Sequence, residues 1–188
     1  MQIALHMNGE IISADSRQVY RQMDIGTGKD LKEYQTPKGP VPYHLIDVAD
    51  PSEIYTLFHY QNDFFKSFDQ IVSRNHLPVV VGGTGLYIEA VLKNYKIPAI
   101  PENVSLRAEL MKQQKGSLEK RLLQINKSLY EKTDRSSKKR IVRALEVAMS
   151  GQSITSEHHQ NLNPLVLCTR WERTKLRQRI DARLEARL

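Results

Sequence analysis

Pro78-Val79-Val80-Val81-Gly82-Gly83-Thr84-Gly85-Leu86-Tyr87 is the stretch that decides the fold class. The valine run has the β-branched density of a strand buried on both faces. It passes directly into glycines and then into an apolar helical segment from Leu86 to about Lys93. Strand, glycine turn and helix in that order are the parts of a parallel α/β sheet. Glycines between a strand and a helix let backbone N–H groups approach an anion closely. The helix N-terminus adds favourable partial charge, and the Thr84 hydroxyl adds a donor. The turn reads as a phosphate or diphosphate contact, or else as a tight βα turn with no ligand.

Upstream, Glu10-Ile11-Ile12-Ser13-Ala14 reads as a second short strand, ending at Asp15-Ser16-Arg17-Gln18. Ligands of open α/β sheets lie at the carboxyl ends of the strands, where Asp15 falls. A carboxylate there can take a proton from an attacking amine or hydroxyl, or hold a metal-bound water. It can equally cap the next turn. Residues 2–8 read as the tail of a helix closed by Gly9. Residues 19–53 are rich in Gly and Pro and read as loop, with a strand at Tyr43 to Val48. Leu57, Tyr60, Phe64, Phe65, Phe68, Ile71 and Val72 recur at helical spacing behind a capping Thr56, and the stripe reads as core. Gly26-Thr27-Gly28-Lys29 imitates the end of a phosphate-binding loop. The full G-x-x-x-x-G-K-[ST] pattern fails at Met23 and Asp30, and no strand runs into it.

Beyond Pro98 to Pro101 the pattern becomes helical, with candidates at 103–114, 117–131 and 135–149, the last closed by Gly151. A strand at Leu165 to Thr169 and a basic amphipathic helix from Glu172 to Leu188 follow. The division expected is a core at 1–100, a helical insert at 101–163 and a return to the core at 164–188. Charge divides similarly. Residues 1–94 hold 8 Lys+Arg against 11 Asp+Glu, while residues 95–188 hold 20 against 10. A basic half of this kind suits a polyanion, although a solvated helix face is the common alternative. In Lys138 to Glu146, Ile141, Ala144, Leu145 and Ala148 make one buried stripe, leaving Lys139, Arg140 and Arg143 for phosphates or bases.

The chain has 188 residues and no run of apolar residues long enough to span a bilayer. Its N-terminus lacks the pattern of a secretory signal. Cys168 is the single cysteine, so an intrachain disulfide is excluded and a reducing compartment fits. The six histidines, including the adjacent His158 and His159, build no metal site.

The segments Ile11 to Thr27, Tyr43 to Asp47, Pro78 to Tyr87, Arg140 to Val147, Arg170 to Arg173 and Leu176 to Arg183 stand in one order. Together they closely resemble the tRNA dimethylallyltransferases, also called tRNA isopentenyltransferases. The resemblance covers nearly the whole chain. It implies a P-loop-NTPase-like parallel sheet core with an inserted all-helical domain, in a cytoplasmic monomer with no membrane contact. The implied reaction moves a dimethylallyl group from dimethylallyl diphosphate to N6 of adenine 37 in the tRNA anticodon stem-loop, with Mg²⁺. Carried over residue by residue, Asp15 corresponds to the general base. Ser16, Arg17 and Gln18 lie in the stretch that contacts tRNA. Gly83 and Thr84 meet the diphosphate, and Arg107 is the arginine near the reacting centre. Lys139, Arg140, Ile141, Val142 and Arg143 match the tRNA-contacting helix. Arg173, Arg177 and Arg179 resemble a helix whose arginines face the diphosphate.

Members of that family begin with a strand and a G-x-T-x-x-G-K-[ST] loop, which this sequence does not contain. A further C-terminal part is also absent after Leu188. The expectation is the middle of a longer enzyme, with the diphosphate cradle and the Mg²⁺-holding Ser/Thr outside it. An open sheet edge on the first strand and little or no transferase activity of the chain alone would follow. Three alternatives compete. An adenylate isopentenyltransferase acts on a free nucleotide and has no need of the basic insert. A non-catalytic RNA-binding remnant would need no phosphate loop. A P-loop kinase is disfavoured because no Walker A loop occurs in the sequence.

Overall fold

The computed structural model describes residues 1–151 and 162–186. The chain divides into two compact units, Met1–Tyr95 with His159–Leu188, and Lys96–His158.

The first unit is organised by strand β1, Gly9–Ser13, all of whose residues are buried. Chain order continues with the two-residue strands β2 (Gln35–Thr36), β3 (Gly39–Pro40) and β4 (Tyr43–His44), and then β5 (Leu77–Val81). The sheet order is β4-β1-β5 and every pairing is parallel, with Ile11 opposite Tyr43 and Val79. β2 and β3 form a separate antiparallel hairpin. Alternation along β1 supplies both layers. Ile12 and Ala14 join Leu45, Tyr60, Phe64, Phe65, Ile71, Tyr87 and Val91 on one face. Ile11 joins Ala4 and Val41 on the other.

Helix α1 is Gln2–His6, α2 is Leu57–Ser73 and α3 is Gly85–Leu92. α2 starts as its sequence directs. The Thr56 hydroxyl accepts the His59 N–H, and the His59 ring accepts the Thr56 N–H. Tyr60 of α2 stacks on Tyr87 of α3 with ring centroids 3.8 Å apart. From the aromatic stripe, Tyr60, Phe64, Phe65 and Ile71 are buried, whereas Val72 is exposed.

Several expectations are corrected. The turn after α1 takes its left-handed backbone at Asn8 (φ 50°), not at Gly9. Gly9 is needed for another reason: a Cβ there would lie 2.8 Å from the Leu77 carbonyl oxygen. The strand expected from Tyr43 to Val48 stops after His44, because Leu45 and Asp47 adopt left-handed backbone. That reversal turns Leu45 and Ile46 into the core. β1 is paired on both sides, so among the described residues the sheet edges fall on β4 and β5 instead. Val80 and Val81 are exposed although their sequence reads as a strand buried on both faces. Leu165 to Thr169 forms no strand: it has no ladder partner among the described residues, and Leu165, Val166 and Leu167 are exposed.

In the second unit, α4 is Val104–Lys112, α5 Lys115–Ile125, α6 Lys127–Lys132 and α7 Lys138–Met149. The single helix expected at 117–131 is broken at Asn126. Its side chain accepts the Leu129 N–H at 2.9 Å and caps α6, which outcompetes continuing α5. Leu110, Leu118, Leu122, Ile141, Val142, Ala144 and Leu145 form the core. Helix α8, Arg173–Glu185, belongs to the first unit and buries none of its residues; Leu176, Ile180 and Leu184 are exposed. No described helix is long and apolar enough to cross a membrane.

Candidate functional site

Asp15 follows the carboxyl end of β1, and the glycine turn follows that of its neighbour β5. The two loops are joined by backbone and side chain together. The Thr84 hydroxyl accepts the Ser16 N–H at 2.9 Å and donates to the Ser16 hydroxyl at 3.3 Å. The Thr84 N–H donates to the Ala14 carbonyl at 3.0 Å. Gly82 makes this contact possible. A Cβ at Gly82 would lie 2.2 Å from the Ala14 carbonyl oxygen, whereas one at Gly83 would meet nothing within 4 Å. Gly82 is therefore a packing glycine, while Gly83 has space before it.

Asp15 is half-buried. Its Oδ1 accepts the Arg17 N–H at 2.9 Å, the turn-capping bond that an aspartate forms readily. The capping and ligand-facing readings are compatible, because a carboxylate has a second oxygen. Arg17 is exposed, and Gln18 points inward. The Gln18 amide nitrogen donates to the Gly28 carbonyl at 3.0 Å, and its oxygen accepts the Ser13 hydroxyl at 3.0 Å. Gln18 thus fixes the floor of the site. A cavity of about 390 Å³ opens beside the turn, lined in part by Ser13, Asp15, Gln18, Lys29, Gly82 and Arg183. Arg183, from α8, pairs with Asp30. Arg173, Arg177 and Arg179 are exposed on α8, with Arg179 lying over the Trp171 ring.

Lys29 explains why Gly26-Thr27-Gly28-Lys29 is no phosphate loop. Its ammonium is buried and held by Asp24 at 2.8 Å, Asp47 at 2.5 Å and the Tyr20 carbonyl at 2.8 Å. Burial disfavours its charge, but the two aspartates outweigh that and raise its pKa. This cluster ties the loop of residues 20–30 to the strand region, and sequence reading missed it.

Sequence reading also missed Glu10, the lone carboxylate in a strand of buried residues. It receives Arg74 through two bonds of 3.0 and 2.8 Å, His44 at 2.6 Å and His76 at 2.7 Å. Burial pushes its carboxyl upward. The Arg74, His44 and His76 hydrogen bonds and the Arg74 charge prevail and bring its pKa down to about 2. The signal available was a charge placed inside an apolar strand pattern, which needs partners.

In the helical unit, Arg107 stands on α4. Its guanidinium meets Glu146 and, through Nη1, Glu102 at 2.6 Å. Its pKa is raised chiefly by the bond to Glu146. Lys139 and Arg140 are exposed on α7, with Arg140 paired to Asp134. Arg143 donates to the Ile100 carbonyl at 2.8 Å and pairs with Glu146. Ile141 and Val142 are core residues, 0% and 2% exposed, so their side chains are not a surface for RNA. Helical period places them inward, between the basic positions. Asp15, Ser16, Gly83 and Thr84 are thus gathered in the first unit, and Arg107 with Lys139 to Arg143 belong to the second. His158 and His159 lie outside the described residues. Among the described residues no group of three or more His, Cys, Asp or Glu could hold a metal ion. They do not by themselves build a cage for a divalent cation.

The parallel sheet, with its glycine turn and acidic loop side by side at the strand carboxyl ends, is an open α/β sheet of the kind the P-loop-NTPase-like class is built on. A crystal structure with this fold is that of a tRNA delta(2)-isopentenylpyrophosphate transferase from Staphylococcus epidermidis. It is 28% identical, with a TM-score of 0.56 over 98% of this chain and 62% of that one. A eukaryotic dimethylallyltransferase acting on tRNA shares the fold at 22% identity and a TM-score of 0.55, over 82% of this chain and 41% of that one. The IPP transferase family model matches residues 18–188, and the chain belongs to that family. It is 49% identical over its whole length to 61% of tRNA dimethylallyltransferase 1 from Geotalea uraniireducens. It is 45% identical to 63% of the corresponding protein from Syntrophus aciditrophicus. The chain therefore spans about three fifths of the length of these curated relatives.

Proposed function

We propose that this chain carries the adenine-facing and RNA-facing parts of a tRNA dimethylallyltransferase. The observation that carries the reading is the juncture of the Asp15 loop and the glycine turn through Ser16 and Thr84. A carboxylate joined to a glycine turn supports N-alkylation by a diphosphate ester, which calls for a proton acceptor near a group that binds the leaving diphosphate. The N6 lone pair of adenine 37 attacks the allylic carbon of dimethylallyl diphosphate. The carbon–oxygen bond breaks, and the diphosphate leaves with the electron pair. The N6 proton passes to the Asp15 carboxylate, for which position near N6 matters more than basicity. Gly83 presents its N–H to the departing diphosphate, and the Thr84 hydroxyl turns to it from its 3.3 Å bond to Ser16. Arg107 is read as an anion-facing residue. The target base leaves its stack to reach the cavity. Lys139, Arg140 and Arg143 grip the phosphates of the anticodon stem-loop. Mg²⁺ is the cation expected with the diphosphate.

The basic helical unit favours tRNA over a free nucleotide as acceptor. Binding to the chain itself tests both the acceptor and Asp15. An anticodon stem-loop RNA with adenine at position 37 is expected to bind better than the same RNA with guanine there, by about tenfold. Adenine donates N6–H to Asp15, whereas guanine turns its O6 acceptor toward the carboxylate. Asp15→Asn, whose amide can donate, is expected to erase the difference. AMP binding more tightly than the RNA would instead support the adenylate-modifying alternative. Equal binding of both RNAs to the unaltered chain would refute the base-facing role of Asp15.

A further inference from the structure

Glu146 is 1% exposed at its side chain and accepts from three groups. Oε1 accepts the Asn103 backbone N–H at 2.6 Å, and Arg107 Nε lies 3.2 Å from both carboxylate oxygens. Oε2 accepts Arg107 Nη2 at 2.8 Å and also Arg143 Nη1. One buried carboxylate therefore fixes the N-cap of α4, an arginine one turn into α4 and an arginine on α7. The Arg143 guanidinium is held again by its 2.8 Å bond to the Ile100 carbonyl.

A guanidinium carries five N–H donors in a rigid plane. Arg107 gives its Nε and Nη2 edge to Glu146, which turns Nη1 the other way. There Nη1 meets Glu102 Oε1 at 2.6 Å, and the Glu102 side chain is 44% exposed. The two carboxylates on Arg107 are thus unlike. Glu146 is buried and bonded from several sides, so releasing it would strand a charge in the core. Glu102 is solvated and can leave Arg107 for water at little cost.

We propose that Glu146 is a positioning residue that holds the Arg107 guanidinium with one edge outward, and that Glu102 occupies that edge until a phosphate oxygen displaces it. The inference rests on the reading of Arg107 as an anion-facing residue. The phosphate oxygen belongs either to the diphosphate or to the RNA backbone.

The test compares the chain with its variants Glu146→Gln, Glu102→Gln, Arg107→Ala and Arg107→Lys at low salt. Each is titrated with inorganic pyrophosphate and, separately, with anticodon stem-loop RNA. Circular dichroism checks the fold. Charge counting alone makes removal of either carboxylate tighten anion binding. Positioning gives opposite signs: Glu102→Gln tightens by about threefold, and Glu146→Gln weakens by about tenfold. With RNA, Glu146→Gln also lowers the salt slope by about one, as Arg107→Ala does. A response to pyrophosphate alone identifies the diphosphate as the source, and a response to RNA alone identifies its backbone. Tightening by Glu146→Gln, or weakening by Glu102→Gln, would overturn the proposal. If Glu146→Gln does not fold, Arg107→Lys and Glu102→Gln decide. Lysine keeps the charge but cannot span mount and ligand, so Arg107→Lys should bind as weakly as Arg107→Ala. Binding like the unaltered chain would refute positioning. An Arg107→Ala variant that binds both ligands normally would overturn the anion-facing reading itself, and the inference with it.

Discussion

Gly82→Ala puts one methyl group against the backbone of the neighbouring strand's end. The new Cβ would lie 2.2 Å from the Ala14 oxygen, 2.3 Å from its carbonyl carbon and 2.7 Å from its Cα. Ordinary contact begins near 3.4 Å. The loops after β1 and β5 must therefore separate by about an ångström, the scale of a severe overpacking change. Two hydrogen bonds stand in the way: Ala14 N–H to the Val81 carbonyl at 2.8 Å, and Thr84 N–H to the Ala14 carbonyl at 3.0 Å. Each contributes about 1 kcal/mol net, and strain of about 1 kcal/mol remains after relaxation. The expected loss is about 3 kcal/mol. With a urea slope of about 1.5 to 2 kcal/mol/M, the midpoint falls by about 1.5 to 2 M. Gly83→Ala is the matched control, because its Cβ meets nothing within 4 Å and its φ is not positive. It should shift stability by no more than about 0.5 kcal/mol. Urea unfolding followed by far-UV circular dichroism makes the comparison. Gly82→Ala as stable as Gly83→Ala would refute the close approach of the two loops.

Two further outcomes follow from the packing. Glu10 titrates near 2 in the folded chain, below the ordinary 4.5, so its stabilisation is present above about pH 4.5 and is lost as pH falls toward 2. The difference corresponds to about 3 kcal/mol, and Glu10→Gln should flatten the acid limb of a stability-against-pH curve; an unchanged limb would sink the assignment. Asn126→Ala removes the α6 cap and should cost about 1 kcal/mol, with amide exchange rising first at Leu129 and Tyr130; uniform exchange across α5 and α6 would contradict a cap at that position.

The parts of the fold that depend on local chemistry were legible. Thr56 announced α2, and the glycine turn announced the strand-to-helix step into α3. Asp15 and Thr84 were legible as loop residues at strand ends, although nothing in their spacing revealed the bond through Ser16. What stayed hidden depends on partners remote in sequence. Val79 to Val81 has the composition of a central strand, and only the strand order makes it an edge. Leu165 to Thr169 has strand composition too, but a strand needs a ladder. Glu10 reaches residues 34 and 64 to 66 positions away, a distance no local pattern encodes. The resemblance carried Ile141 and Val142 into the stretch expected to contact tRNA, although the helical stripe already marked Ile141 as core; Val142 proves buried beside it.

The Glu10 cluster also bears on how such a protein can change over generations. It gathers His44 of β4, Arg74 beyond α2 and His76 just before β5 at the amino end of the sheet. The loops that carry Asp15 and Thr84 are at the other end. Strand alignment is thus secured away from the candidate site. Substitutions at open carboxyl-end positions such as Gly83, unlike the tightly packed Gly82, can be sampled without loosening the sheet, so those loops can vary while the scaffold persists.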